Sequence, residues 1–175
     1  MIITGGKYKG RNIQAPDERI TRPTLSKVRQ GVFNTLFSML GDFEGKSFLD
    51  LFGGSGIMGL EALSRGFEDV LAFEKNPKVA QILKKNYEVL GLKVNLKIGD
   101  SLKLLEKTEK EFDIIYVDPP YYSGVYEEVF SIIAKIDLRN VIIVVEHSDP
   151  IFFDKFILIK EKNYGGKRVS FFTLQ

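Results

Sequence analysis

The chain has 175 residues, 44% hydrophobic and 27% charged, which at roughly 150 residues per domain favours one domain with a substantial core and excludes a disordered tail. It has no cysteine and one histidine, His147, so a disulfide framework, a cysteine-based zinc or iron–sulfur site, a thiol nucleophile and a Ser-His-Asp triad elsewhere in the chain are excluded. The net charge of +2 hides an uneven split: residues 1–30 carry seven Lys/Arg against two Asp/Glu, residues 160–175 four against one, and the stretch between them fourteen against twenty. Basic ends around an acidic body are either ordinary polar termini or a surface for a polyanion. No apolar run reaches the roughly 18 residues of a membrane span, and the N-terminus lacks a signal-like apolar stretch. A cytoplasmic protein without a membrane partner is expected.

In chain order, residues 1–45 read as a basic extension and 46–175 as the core of one domain spanning 1–175. The extension opens with two short strand-like runs around Gly5-Gly6 and Gly10, a hairpin pattern. Thr24 or Ser26 then caps a helix to about Leu40, with Val28, Val32, Phe33, Leu36, Phe37 and Leu40 on one face, and Gly41 ends it. Apolar runs follow at Phe48–Phe52, Val70–Glu74, Val94–Ile98, Ile114–Val117, Val141–Glu146, Phe156–Ile159 and Val169–Leu174. Helical stretches near 56–65, 77–90, 101–107 and 124–135 separate the first five. Near-continuous apolar strands alternating with helices predict a parallel sheet covered on both faces. A Gly165-Gly166 connection between the last two runs predicts an antiparallel hairpin at the sheet edge. The expected fold class is α/β, a doubly wound Rossmann-like sheet of seven strands, mostly parallel.

In such sheets ligands bind beyond the carboxyl ends of the strands, near the point where strand order reverses. After the first strand comes Asp50-Leu-Phe-Gly-Gly-Ser-Gly-Ile-Met-Gly59, whose Gly54, Gly56 and Gly59 satisfy G-x-G-x-x-G. Such a loop is either a ligand cradle at a helix N-terminus or a plain tight turn. The second strand ends in Glu74, placed to take two ribose hydroxyls unless it is an ordinary surface glutamate. The third ends in Gly99-Asp100-Ser101, where Asp100 accepts from an adenine amine or caps the next helix. The fourth ends in Asp118-Pro119-Pro120-Tyr121. Two prolines fix two φ angles and remove two donors, leaving carbonyls free to accept beside a carboxylate and an aromatic face. This grouping fits a planar amine, with Asp118 and the Pro119 carbonyl taking its two N–H bonds and Tyr121 stacking on its ring. The fifth run ends in Glu146-His147, where His147 either lines the site or is incidental.

Asp50-Leu-Phe-Gly-Gly-Ser-Gly, Glu74, Gly99-Asp100 and Asp118-Pro-Pro-Tyr121, in that order and spacing, resemble motifs I to IV of an S-adenosylmethionine-dependent amino methyltransferase. The stretch Asp50–Gly66, together with Gly5-Gly6-Lys7, Gly10-Arg11, Arg22-Pro23-Thr24 and Val28-Arg29, is similar to the bacterial family that methylates a guanine N2 in small-subunit (16S) ribosomal RNA. Gln30 stands where that family usually has glutamate, Gly54 where alanine is commoner, and Tyr164–Arg168 carries extra positive charge.

The resemblance implies S-adenosylmethionine as cofactor, S-adenosylhomocysteine as product, and no metal. It implies cofactor contacts from Asp50, Phe52, Gly53, Gly54, Ser55, Gly56, Glu74, Lys75, Asp100, Ser101 and Asp118, and catalysis by Asp118, Pro119, Pro120 and Tyr121. RNA phosphates are then expected at Lys7, Lys9, Arg11, Arg22, Arg29, Lys167 and Arg168. The implied partner is ribosomal RNA or an assembling small subunit, and a monomer is favoured. Adenine N6 in DNA and a protein glutamine amide obey the same planar-amine chemistry. The glycine loop and Glu74 also permit a nicotinamide-dependent oxidoreductase, and the basic ends permit an RNA-binding module without catalysis.

Overall fold

The computed structural model describes residues 1–17, 24–120, 124–136, 138 and 140–175. Its elements run α1 (Ser26–Leu40), β1 (Ser47–Asp50), α2 (Ile57–Arg65), β2 (Asp69–Glu74), α3 (Pro77–Val89), β3 (Asn95–Ile98), α4 (Ser101–Glu106), β4 (Ile114–Val117), α5 (Val125–Lys135), β5 (Ile142–His147), β6 (Phe156–Tyr164) and β7 (Lys167–Leu174). One seven-stranded sheet has the order β3-β2-β1-β4-β5-β7-β6. The five strands from β3 to β5 are parallel, and β7 pairs antiparallel with both β5 and β6.

Strand periodicity builds two cores from one sheet. Phe48, Val70, Ala72, Ile114, Tyr116 and Val144 face α1, α2 and α3, whereas Leu49, Leu71, Phe73, Ile115, Val117 and Val145 face α4 and α5. Successive side chains in a strand point to opposite faces, so a run apolar at every position serves both layers. Helix α1 buries Val28, Val32, Phe33 and Leu36 at the expected three- and four-residue spacing. No described helix is long and apolar enough to cross a membrane.

Three local expectations change. The cap position of α1 is Leu25, which supplies no side-chain cap, and the Thr24 hydroxyl is directed to Asp118 at 3.5 Å. The N-terminal hairpin forms but is short: the antiparallel pair Ile2↔Asn12 is flanked by Ile3 N donating to the Arg11 carbonyl at 3.0 Å and Ile13 N to the Met1 carbonyl at 2.8 Å. Its tip spends its polar groups on α2 instead: Lys7 N donates to the Ser64 carbonyl at 2.6 Å and Tyr8 N to Ser64 Oγ at 2.8 Å. Strand β6 extends to Tyr164, five residues beyond the apolar run, because β7 pairs with it as far as Lys167.

Candidate active site

Strands β1 and β4 are parallel neighbours, yet the chain between them makes β2 and β3 on the far side of β1. Their carboxyl ends therefore flank the reversal point of the sheet, where an open α/β fold leaves a crevice. Asp50 closes β1, Glu74 closes β2, Asp100 and Ser101 open α4 after β3, and Asp118, Pro119 and Pro120 follow β4. The structure thus brings the strand-end acids to one edge of the sheet. Tyr121 lies outside the described residues.

Gly54 and Gly56 have φ of 55° and 81°, a conformation that glycine adopts without penalty. This curl is held from β2: Gly53 N donates to the Phe73 carbonyl at 2.7 Å and Gly54 N to Glu74 Oε2 at 2.9 Å. The other Glu74 oxygen accepts from Asn76 N at 2.8 Å. A carboxylate has about four acceptor positions, so Glu74 ties down the loop and keeps capacity for a ligand hydroxyl. A Cβ on Gly54 would meet only the Phe52 carbonyl, at 3.9 Å, so that side of the loop is open. Phe52 is half-buried beside it, and Ser55 is buried with Oγ accepting from Ile57 N at 3.3 Å.

Between the two roles open to Asp100, the geometry realises capping. Its Oδ1 accepts from Leu102 N at 3.1 Å and Lys103 N at 3.2 Å, which lowers its pKa, and its Oδ2 pairs with exposed Lys75 at 3.4 Å.

Asp50 is 1% exposed, and its Oδ1 has no hydrogen-bond partner among the described residues. Burial first, then the charges of Asp118 and Glu74, pushes its pKa up to about 8. At neutral pH the folded chain holds a proton that the unfolded chain has released. Stability therefore falls as pH climbs from the ordinary carboxylate range to about 8 and levels off above it. Asp50→Asn removes this dependence, so its melting-temperature gain over the wild type is expected to widen between about pH 5 and about pH 8. Parallel melting curves across that range would contradict the assignment.

Asp118 lies in a charged cluster assembled from four elements. Lys167 Nζ stands 3.6 Å from Asp118 Oδ1 and forms an ion pair with Oε2 of Glu146, which is 1% exposed. The other Glu146 oxygen accepts the Tyr116 hydroxyl, and Tyr126 Oη donates to the Glu146 carbonyl at 2.8 Å. Burial and the Glu146 charge push the Asp118 carboxyl up to about 7, against the lowering effect of Lys167 and Thr24. The β5–β7 register explains the placement: His147 pairs with Arg168, so the β6–β7 turn overhangs the carboxyl end of β5.

This geometry corrects two expected phosphate contacts and adds a residue. Lys167 is turned into the carboxylate cluster. Arg29 is 1% exposed: it pairs with Glu61 at 3.2 Å and donates to the Thr24 carbonyl and, at 2.7 Å, to the Ile2 carbonyl. Its charge holds the extension onto α2 and is withheld from solvent. The added residue is Glu146, the carboxylate that ends the fifth apolar run; its position at a strand's carboxyl end is the signal in the sequence that marks it.

Lys7, Lys9 and Arg11 are exposed, and Arg168 pairs with Glu161 at 3.0 Å. The tip carrying Lys7 and Lys9 is bound to Ser64 at the far end of α2, whose nine residues set it roughly 13 Å back from the glycine loop. Arg22 lies outside the described residues. His147 is buried, with Nδ1 2.7 Å from the Asp149 carbonyl and Nε2 2.8 Å from Ser170 Oγ, so it fastens β5 to β7. Among the described residues no group of three or more His, Cys, Asp or Glu is suited to a metal ion.

A seven-stranded sheet of this order, with a glycine loop after β1 and Asp-Pro-Pro after β4, has the architecture of the methyltransferases found among its structural neighbours. The chain belongs to the family described as Conserved hypothetical protein 95, whose model matches residues 1–173. A relative from Haemophilus influenzae, named ribosomal RNA small subunit methyltransferase D, is 31% identical over 174 residues, covering 93% of this chain and 88% of its own. The protein of that name from Escherichia coli strain K12 is 34% identical over 132 residues, covering 75% and 65%. The solved structure of Escherichia coli yhhF, provisionally described as a methyltransferase, superposes with a TM-score of 0.86 at 27% identity, covering 100% of this chain and 98% of that one. An RNA methyltransferase from Salinibacter ruber, solved with S-adenosyl-L-homocysteine, shares the fold at a TM-score of 0.68 and 16% identity, covering 87% and 94%.

Proposed function

We propose that the chain transfers a methyl group from S-adenosylmethionine to the exocyclic N2 amine of a guanine in small-subunit ribosomal RNA. The observation that carries this reading is the Asp118-Pro119-Pro120 corner, placed beside the glycine loop at the reversal point of the sheet. The names of the relatives support the RNA substrate.

The residues present suit the cofactor. The loop curl has an open side at Gly54, Glu74 keeps acceptor capacity, and Asp50 Oδ1 is a buried polar atom without a partner among the described residues. A crevice edged by the carboxyls of Glu74 and Asp118 suits a sulfonium cation and opposes the pyrophosphate of a dinucleotide. When bound, the cofactor supplies an activated methyl electrophile, which makes a strong base and a metal unnecessary. Asp50, Phe52 and Gly53–Gly56 would hold its amino-acid end, Glu74 its ribose, and Lys75, Asp100 and Ser101 would border its base.

The chain's own work is on the amine. Guanine N2 is flat because its lone pair is delocalised into the ring. With one N–H held by Asp118 and the other by the Pro119 carbonyl, the nitrogen can pyramidalise, and acceptors already in place stabilise the positive charge that develops. A carboxyl poised at about 7 is matched to take up the proton that this nitrogen then loses, at Asp118 Oδ. Tyr121 would stack on the base, extruded from its helix or loop at a cost of about a few kcal/mol.

Lys7, Lys9, Arg11, Arg22 and Arg168 remain as proposed phosphate contacts. RNA affinity is expected to fall steeply with salt, and replacing Lys7 or Lys9 to lower the salt slope by about one unit or less. An RNA affinity indifferent to salt would contradict these contacts.

The test is incubation with labelled S-adenosylmethionine and ribosomal RNA from cells lacking the enzyme, followed by nucleoside analysis. Label in N2-methylguanosine is the expected result. Label in N6-methyladenine of DNA, in protein, or in none of these would overturn the reading.

A further inference from the structure

Resting on the methyl-transfer reading, we propose that Lys167 is a positioning residue: its ammonium offsets the buried charge of Glu146 and thereby favours the ionised, accepting form of Asp118 for the target amine. The ammonium is within ion-pair reach of both carboxylates, on Oδ1 of Asp118 and Oε2 of Glu146. Glu146 has no side-chain exposure, so water does little to screen it, whereas Asp118 keeps 24%.

Two carboxylates sharing so small a space do not both ionise unless a cation stands between them. If Asp118 takes the shared proton, it loses the charge that stabilises positive charge on the amine, and it can no longer receive the departing proton. The other described groups bearing on the pair do not replace the lysine. Tyr116 hydrogen-bonds to Glu146 but carries no charge, Tyr164 on β6 is driven further toward its neutral form by burial and then by Glu146, and Asp50 adds repulsion when ionised. Thr24 offers Asp118 one neutral donor at 3.5 Å.

The placement explains a local sequence feature. Gly165 and Gly166, with φ of 65° and 92°, make the tight turn that starts β7 directly over the end of β5. A lysine as the first residue of β7 then reaches back into the cluster. An ordinary ion pair between strands would serve the hairpin alone and would be indifferent to the charge on Asp118.

The experiment measures methyl transfer to RNA from about pH 6 to about pH 9 for wild type, Lys167→Met, Lys167→Arg, Glu146→Gln and the double variant Lys167→Met/Glu146→Gln. A carboxyl-carbon NMR titration of Asp118 in the free protein runs beside it. In Lys167→Met the acid limb of kcat and the Asp118 midpoint are expected to rise by ~1–3 units, so activity lost near neutrality returns in alkali. Glu146→Gln moves both downward, the double variant returns them toward wild type, and Lys167→Arg retains them. The KM for the methyl donor stays within about twofold throughout.

An unmoved Asp118 midpoint in Lys167→Met, or a pH-independent loss that Glu146→Gln does not relieve, would overturn the proposal. Should Lys167→Met fail to fold, an Asp118 midpoint unchanged in Glu146→Gln overturns it equally. Absence of methyl transfer by the wild type, with the midpoints moving as stated, would instead defeat the assigned reaction and leave the electrostatic role standing.

Discussion

Asp118→Ala is expected to lower turnover by about 10²-fold or more, with methyl-donor affinity nearly unchanged. The side chain is the charged acceptor of the corner, and the loss falls on the step in which positive charge appears on nitrogen. Its partners are Thr24 and Lys167, so its removal leaves the glycine loop and Glu74, which hold each other, intact. Asp118→Asn separates charge from shape: the amide oxygen still accepts one N–H but neither stabilises the cation nor takes its proton. Its turnover should therefore lie nearer that of alanine than that of wild type. Steady-state kinetics with calorimetric titration of the methyl donor checks both statements. A variant that loses donor binding in proportion to turnover would reassign Asp118 to the cofactor.

Glu61→Ala should cost about 3–5 kcal/mol of stability, the loss expected when one member of a buried ion pair is removed and the other charge is left behind. Glu61 is fully buried on α2 and accepts from Arg29 Nε and Arg65 Nε, each at 3.2 Å, and from Thr4 N and Thr4 Oγ1, each at 2.7 Å. Without it the Arg29 guanidinium keeps two backbone carbonyls and Ser26 Oγ but no counter-charge. The extension would lose its main polar anchor, although Asn86 still grips Gln14 through two bonds of 2.8 Å. For a chain of this length the loss corresponds to a fall of roughly 10 °C in melting temperature. Glu61→Gln, which keeps the shape and an acceptor, should fall between. A change below about 1 kcal/mol on chemical denaturation would show that the network is solvated.

These two residues mark the boundary of what the sequence discloses. The parallel strands were legible because both their faces are buried, which forces apolar residues at successive positions. The site loops were legible because each apolar strand ends abruptly in a carboxylate or a glycine: Asp50, Glu74, Gly99-Asp100, Asp118. A polar residue at the end of such a run has no packing role. Charged residues elsewhere gave no comparable contrast. Arg29 and Lys167 stand in basic stretches that read as a phosphate-binding surface, and their partners, Glu61 and Glu146, come from elements 32 and 21 positions away. Only the tertiary contact distinguishes a lysine paired with carboxylates from a phosphate-binding one. The cap of α1 failed for a related reason: Thr24 spends its hydroxyl on Asp118, a long-range partner that local preference does not anticipate.

Methyl transfer at this site requires the Asp118-Pro119 corner to open onto the crevice that holds the methyl donor. A crystal structure of this chain with S-adenosylhomocysteine tests that directly. The nucleoside is expected along the Gly53–Gly56 loop and Glu74, with its sulfur toward Asp118 and an open approach for a flat base on the corner's outer side. A nucleoside bound at another edge of the sheet, or a corner sealed off from it by protein, would contradict the account.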